Sequence, residues 1–181
     1  DYASALKPLQ ALLKINPNLY DVHQNIGIAQ KSMGNFPKAE KHFKEAIRIE
    51  PREPSSHFNL ASLYGNLGKF VQAIDEYEQA DALYKSTGKY HPPPFYSDKA
   101  RAHNQAGIQL GQLKKFDEAL IQFEKSVGLN PKSLEARFNL AKLLLEFKKD
   151  RPAATIHLEQ ALKLNPIPSQ IEVLQNLLKA Q

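Results

Sequence analysis

The 181-residue chain is 42% hydrophobic and 24% charged, ordinary proportions for a folded protein, and no run approaches the ~18 apolar residues of a membrane span. Cysteine is absent, which excludes a disulfide framework, a thiolate nucleophile and a cysteine metal site but fixes no compartment; a soluble, cytoplasmic location is the working expectation. Net charge is +5, yet Lys+Arg against Asp+Glu runs 8 to 6 over 1–53, 4 to 5 over 54–99, 5 to 3 over 100–133 and 7 to 5 over 134–181, so the basic excess is not gathered into a nucleic-acid patch.

The first 19 residues read as one helix, with Tyr2, Ala5, Leu9, Leu12, Leu13 and Ile15 at helical spacing and Pro17 behind it. From Tyr20 onward the chain is repetitive. Pro17 and Pro51 stand 34 apart and close similar phrases, Lys14-Ile15-Asn16-Pro17 and Arg48-Ile49-Glu50-Pro51. Leu129-Asn130-Pro131 and Leu164-Asn165-Pro166 return to the phrase. In step with it, Gly27 maps to Ala61, Phe36 to Phe70, Ala39 to Ala73, Phe43 to Tyr77 and Ala46 to Ala80. The step then grows by a 12-residue insertion, after which Gly107, Phe116, Ala119, Phe123 and Ser126 resume the pattern. Ala141, Ala154, Leu158 and Ala161 continue it, with one extra residue in the turn from Glu146 to Arg151.

Each unit reads as two antiparallel helices of about 14 residues, about 20 Å long at 1.5 Å per residue. The small residues Gly27, Ala61, Gly107 and Ala141 let the first helix approach the second. Gly34 and Gly68 stand where the chain turns, and the closing prolines stop the second helix. The carboxylate pairs Asp75-Glu76 and Asp117-Glu118 are expected to open second helices, where they complement the helix dipole. Residues 169–180 form a last amphipathic helix.

A 34-residue period of this kind resembles the tetratricopeptide repeat (TPR) family. The resemblance implies an all-α, right-handed superhelical solenoid of antiparallel helix hairpins. Full repeats are assigned to 20–53, 54–87, 100–133 and 134–168, with the second helix of 54–87 extended to about Lys85. Residues 1–19 are then the second helix of a truncated preceding repeat, and more repeats are expected before Asp1. Residues 88–99 are a Pro/aromatic insertion and 169–181 a C-terminal capping helix.

The resemblance further implies that first helices line a concave groove. Their outward positions are Asp21, Gln24, Asn25 and Ile28, then Ser55, Phe58, Asn59 and Ser62, then Arg101, Asn104, Gln105 and Ile108, and finally Glu135, Phe138, Asn139 and Lys142. Asn25, Asn59 and Asn139 share one repeat position, which Gln105 takes in the third repeat. An amide offers donors and an acceptor to a peptide backbone. His57-Phe58-Asn59-Leu60-Ala61 and Arg137-Phe138-Asn139-Leu140-Ala141 resemble the asparagine-ladder subtype of the TPR superhelix in O-GlcNAc transferase. The other reading of these amides is a bond to a neighbouring helix or water. Phe58 and Phe138 are side-chain pockets on one reading and inter-repeat packing on the other. The carboxylate-clamp subtype fits poorly, since Gln24 and Ile28 stand near where its first cation and amide belong.

In the insertion, Pro92, Pro93 and Pro94 favour extended backbone, and Tyr90, His91, Phe95 and Tyr96 surround them. They are read as a hydrophobic plug, or as a partner contact. His23, His57 and His103 recur at one repeat position rather than converging on a metal. No glycine-rich phosphate loop or Gly-x-Ser-x-Gly elbow is present. The expectation is a non-catalytic scaffold without cofactor, metal or small-molecule substrate. It binds a protein or peptide partner at Asn25, Ile28, Phe58, Asn59, Arg101, Asn104, Gln105, Phe138, Asn139 and Lys142. The alternatives are a structural spacer or oligomerisation module of a larger protein, and a nucleic-acid-binding helical repeat.

Overall fold

The structure is a computed structural model that describes residues 2–164 and 166–179. Asp1, Asn165 of the last Leu-Asn-Pro phrase, and Ala180 and Gln181 of the expected cap lie outside the described residues.

The described residues form ten α-helices and one π-helical turn: α1 Tyr2–Ile15, α2 Tyr20–Ser32, α3 Phe36–Ile49, α4 Pro54–Asn66, α5 Phe70–Thr87, α6 Phe95–Gln112, α7 Phe116–Leu129, α8 Leu134–Leu143, the π turn Leu144–Lys148, α9 Arg151–Leu162 and α10 Pro168–Lys179. They fall into two compact units, 1–95 and 96–181. In the first, α2 packs on α3 and α4 on α5, with α1 on α2 and α3 on α4 joining the hairpins. In the second, α8 packs on α9, with α7 on α8 and α9 on α10 as joints.

The repeated residues build the hairpin interior. Ala39, Phe43 and Ala46 are fully buried, as are Ala73, Ala80, Ala119, Ala154 and Ala161. A Cβ added at Gly27 would lie 2.5 Å from the Phe43 ring, and one at Gly107 would lie 2.7 Å from the Phe123 ring. The ring therefore occupies the space a side chain would need, and glycine sets how closely the two helices approach. A buried aromatic side chain of this kind contributes about 1.5–3 kcal/mol.

The turns are equally local. Gly34 and Gly68 take φ of +76° and +70°, the left-handed region that costs glycine nothing. Lys114 and Lys149 hold the same place in the later repeats at φ of 60° and 55°. In the closing phrase, Asn16 Oδ1 accepts from Asn18 N at 3.0 Å and Asn130 Oδ1 from Lys132 N at 3.2 Å, the Asx turn that explains asparagine there. Ser133 Oγ caps α8 through Ala136 N and Asp150 Oδ1 caps α9 through Ala153 N.

Three sequence expectations change. α5 begins at Phe70, so Asp75 and Glu76 lie beyond its first turn; Glu76 answers His57 instead. Asp117 and Glu118 do sit in the first turn of α7. The extra residue near Glu146 is absorbed by the π turn, closed by Asp150 N donating to Leu144 O at 3.1 Å, a common way for a helix to take up an insertion. α5 runs two residues past Lys85, to Thr87, and ends on Gly88 at φ +67°.

Candidate peptide-binding face

The column of histidines pairs within hairpins. His23 Nδ1 meets His42 Nδ1 at 3.0 Å, His57 Nδ1 meets Glu76 Oε2 at 2.7 Å, and His103 Nδ1 meets Gln122 Oε1 at 2.7 Å. Arg137 takes the position in the last repeat, with Nη1 3.4 Å from His157 Nδ1 and bonded to Gln160 Oε1. A second bond reaches back to the closing phrase, His23 Nε2 to Pro17 O at 2.9 Å and Arg137 Nε to Pro131 O at 2.7 Å. These side chains clasp first helix to second helix. The sequence showed the column but not its partners, which lie across the hairpin.

In the first unit, the groove positions of α2 and α4 form a polar seam. Gln24 is buried and donates from Nε2 to Tyr20 Oη at 2.7 Å and Ser56 Oγ at 2.7 Å, with Ser55 Oγ at 3.3 Å. Its Oε1 accepts from Asn59 Nδ2 at 3.1 Å. Lys31 Nζ donates to Ser62 Oγ at 3.2 Å. Asp21 and Asn25 are exposed, Ile28 is half-buried, and the Asn25 amide makes no hydrogen bond to the described residues.

Phe58 is half-buried in an aromatic cluster. Its ring lies 6.1 Å from Tyr77 and 5.8 Å from Phe95, and Phe95 also meets Tyr84 at 5.6 Å and His91 at 4.8 Å. Phe95 is fully buried while Tyr90 is 98% exposed. His91 Nε2 pairs with Asp81 Oδ1 at 2.9 Å, and Lys89 pairs with Glu53. The insertion thus folds back on α4 and α5, and its last five residues become the first turn of α6.

In the second unit, the seam is rebuilt with other side chains. Asn104, buried, donates from Nδ2 to Glu135 Oε1 at 3.0 Å, and Gln105 Nε2 lies 3.4 Å from the same oxygen. Asn139 Nδ2 donates to Asn104 Oδ1 at 3.0 Å, the counterpart of Asn59 on Gln24. Arg101 pairs with Asp98 at 3.1 Å, and Lys142 lies 3.9 Å from Glu146. Ile108, Asn139 and Lys142 line a cleft of about 450 Å³ with Gly107, Gly111 and Phe147. Phe147 stacks on Phe116 with centroids 3.3 Å apart. Phe138, half-buried, lines another cleft, between α8 and α10.

Among the described residues no group of three His, Asp or Glu is arranged to hold a metal ion, and no helix is long and apolar enough to cross a membrane.

Comparison with known proteins agrees with this architecture. Family models described as tetratricopeptide repeat match residues 20–53, 42–75 and 100–133. The human protein O-mannosyl-transferase TMTC3 is 25% identical over 168 residues, covering 91% of this chain but 18% of that protein. The photosystem I assembly protein Ycf3 of Rippkaea orientalis is 31% identical over 93 residues, 50% of this chain and 54% of that protein. The chain thus spans less than a fifth of the first relative and about half of the second. Among solved structures, a crystal structure of MamA superposes with a TM-score of 0.65 at 20% identity, over 91% of this chain and 89% of that one. The chain carries tetratricopeptide repeats in both of its units, and its fold is an all-α solenoid of helix hairpins.

Proposed function

We propose that the chain is a non-catalytic protein-interaction scaffold, and that an extended segment of a partner lies along its first helices. The observation that carries this reading is where the side chains are committed. Small residues and buried rings close the hairpins, while Asp21 and Asn25 are exposed on α2 and the outer faces of α6 and α8 keep Arg101, Glu135 and Lys142 exposed beside open clefts. Asn25, Ile28, Phe58 and Asn59 are the candidate contacts in the first unit. Arg101, Gln105, Phe138, Asn139 and Lys142 are those in the second, where Asn104, expected from the sequence to face the groove, is buried and bonded to Glu135 and Asn139 instead. An asparagine-ladder role is the finer reading. It has support from the recurrence of Asn25, Asn59 and Asn139 and from the free amide of Asn25. Asn59 and Asn139 each have one donor engaged in the fold, which leaves their carbonyl oxygens as acceptors for a peptide N–H. Ycf3 is named as an assembly protein, which favours a scaffold. The relative named as an O-mannosyl-transferase is matched over 18% of its length, and the His and Arg pairs found here each close a hairpin.

Affinity capture with the wild-type chain beside an Asn25→Ala, Arg101→Ala, Lys142→Ala variant tests the reading, with Gln79→Ala, Lys125→Ala as a second-helix control and circular dichroism on all three. Loss of a partner by the first variant alone supports the groove. Equal capture by all three sinks it.

A second reading, oligomerisation, rests on α1. Ala5, Leu9 and Leu12 stand where α3 buries Ala39, Phe43 and Ala46, yet α1 contains no buried residue and Leu12 is 44% exposed. A sedimentation-equilibrium mass above that of one chain, reversed by Leu9→Asp, would favour it.

A further inference from the structure

The two units use the same repeat position differently. Phe58 in α4 and Phe138 in α8 correspond. Phe58 is covered by Phe95, a fully buried ring 5.8 Å away. Phe138 has no ring partner among the described residues. It faces a cleft of about 370 Å³ whose other apolar walls are Leu134, Val173 and Leu174. Val173 is 46% exposed. Phe138 is half-buried like Phe58 and packs on the core of the second unit, but where the first unit sets the Phe95 ring the second has a cleft between α8 and α10.

Glu135 adds a charge to that surface. It lines the apolar cleft and also a polar cleft of about 260 Å³ with Asp98, Arg101 and Asn104. Its Oε1 accepts from two neutral amides, Asn104 at 3.0 Å and Gln105 at 3.4 Å. No cation pairs with it among the described residues. Asp98 is answered by Arg101 at 3.1 Å. Counting Asp98 and Glu135 as −1 each and Arg101 as +1 leaves one negative charge here, on a chain whose net charge is +5. An apolar anchor site with a charged rim is the usual anatomy of a peptide hot spot. The uncompensated carboxylate selects a cation and repels phosphate or an acidic segment.

We propose that the Glu135–Phe138 face binds a partner segment in which an apolar side chain, preferably aromatic, stands beside an arginine or lysine. The aromatic ring lies against Phe138 and Val173, and the cation meets Glu135. This rests on the reading of the chain as a peptide-binding module and narrows its partner.

Three fluorescently labelled peptides in one Gly/Ser frame, carrying Phe-Arg, Phe-Glu or Ala-Arg at the centre, are titrated with the 181-residue chain. Burying the ring should make Phe-Arg bind at least about tenfold more tightly than Ala-Arg. The exposed charge should favour Phe-Arg over Phe-Glu by about threefold, a preference lost at about 0.5 M salt. Glu135→Lys should reverse the Phe-Arg and Phe-Glu order. Val173→Glu, at an exposed site, should abolish the tight binding of Phe-Arg with its helical circular dichroism unchanged. Amide shifts should centre on Leu134, Phe138 and Val173. Equal affinity of Phe-Arg and Phe-Glu, or of Phe-Arg and Ala-Arg, overturns the proposal, as does the absence of any shift. Shifts confined to Asn25 and Ile28 overturn it too, while leaving the binding-module reading intact.

Discussion

Asn59 donates its amide to Gln24 Oε1 at 3.1 Å, and Asn139 repeats the bond to Asn104 Oδ1 at 3.0 Å. Both pairs join the first helix of one repeat to the first helix of the next. Because each amide bridges two repeats, Asn59→Ala and Asn139→Ala should each lower stability by about 1 kcal/mol in urea unfolding. Asn25, exposed and without a hydrogen bond to the described residues, should change stability by less than about 0.5 kcal/mol when replaced by alanine. Equal losses at all three positions would contradict this division of labour.

Glycine and ring are matched in two of the repeats. At Gly27 an added methyl would sit 2.5 Å from Phe43, and at Gly107 2.7 Å from Phe123. Gly27→Ala and Gly107→Ala should therefore destabilise by about 1–3 kcal/mol, the usual cost of overpacking. The last repeat pairs Ala141 with Leu158, both buried, which suggests the compensation. Phe43→Leu should recover part of the Gly27→Ala loss, and a double-mutant cycle would measure that coupling. Strict additivity would show that the ring and the glycine are not in conflict.

Two turns carry a residue in the glycine conformation. Lys114 at φ 60° and Lys149 at φ 55° occupy the place of Gly34 and Gly68. A side chain there costs roughly 1–2 kcal/mol, partly offset because glycine has more freedom to lose on folding. Lys114→Gly and Lys149→Gly should each raise stability by about 0.5–1 kcal/mol, read as a higher urea midpoint at unchanged slope.

Much of the fold was legible in the sequence. The 34-residue step shows that Gly27 and Phe43 recur at fixed places in each unit, but it reads the aromatic as filler between hairpins, whereas the Phe43 ring lies inside its own hairpin against Gly27, a contact that periodicity alone cannot assign. The extra residue after Glu146 was visible, but not that the helix would take it up as a π turn, which is decided by Lys149 N reaching back to Leu144 O. The inward turn of Gln24 and Asn104 was hidden. Helical spacing gives a face but not where that face divides between groove and neighbour. Nor did local sequence reveal that Glu76 serves His57, since the two meet only when the hairpin closes.

Two of the clasps, those that hold His42 and His157, make stability depend on pH with a definite sign. The Pro17 carbonyl can only accept, so His23 Nε2 carries a proton. Its other ring nitrogen, Nδ1, faces His42 Nδ1 at 3.0 Å. Burial lowers the His42 pKa below its ordinary 6.5, and the adjacent His23 lowers it further. His157 is lowered likewise, first by burial and then by Arg137. A base whose folded pKa lies below its unfolded value favours the folded state at pH above that unfolded value. The contribution is lost as pH falls through 6.5 toward the folded pKa, because the unfolded chain then binds more protons. The urea midpoint should therefore fall between about pH 7 and pH 5. His42→Gln keeps a side-chain donor for His23 and removes one titrating group, so the fall should be shallower. His157→Gln should reduce it independently, since the two clasps lie in different units. An unchanged slope in the double variant would assign the acid sensitivity to other groups.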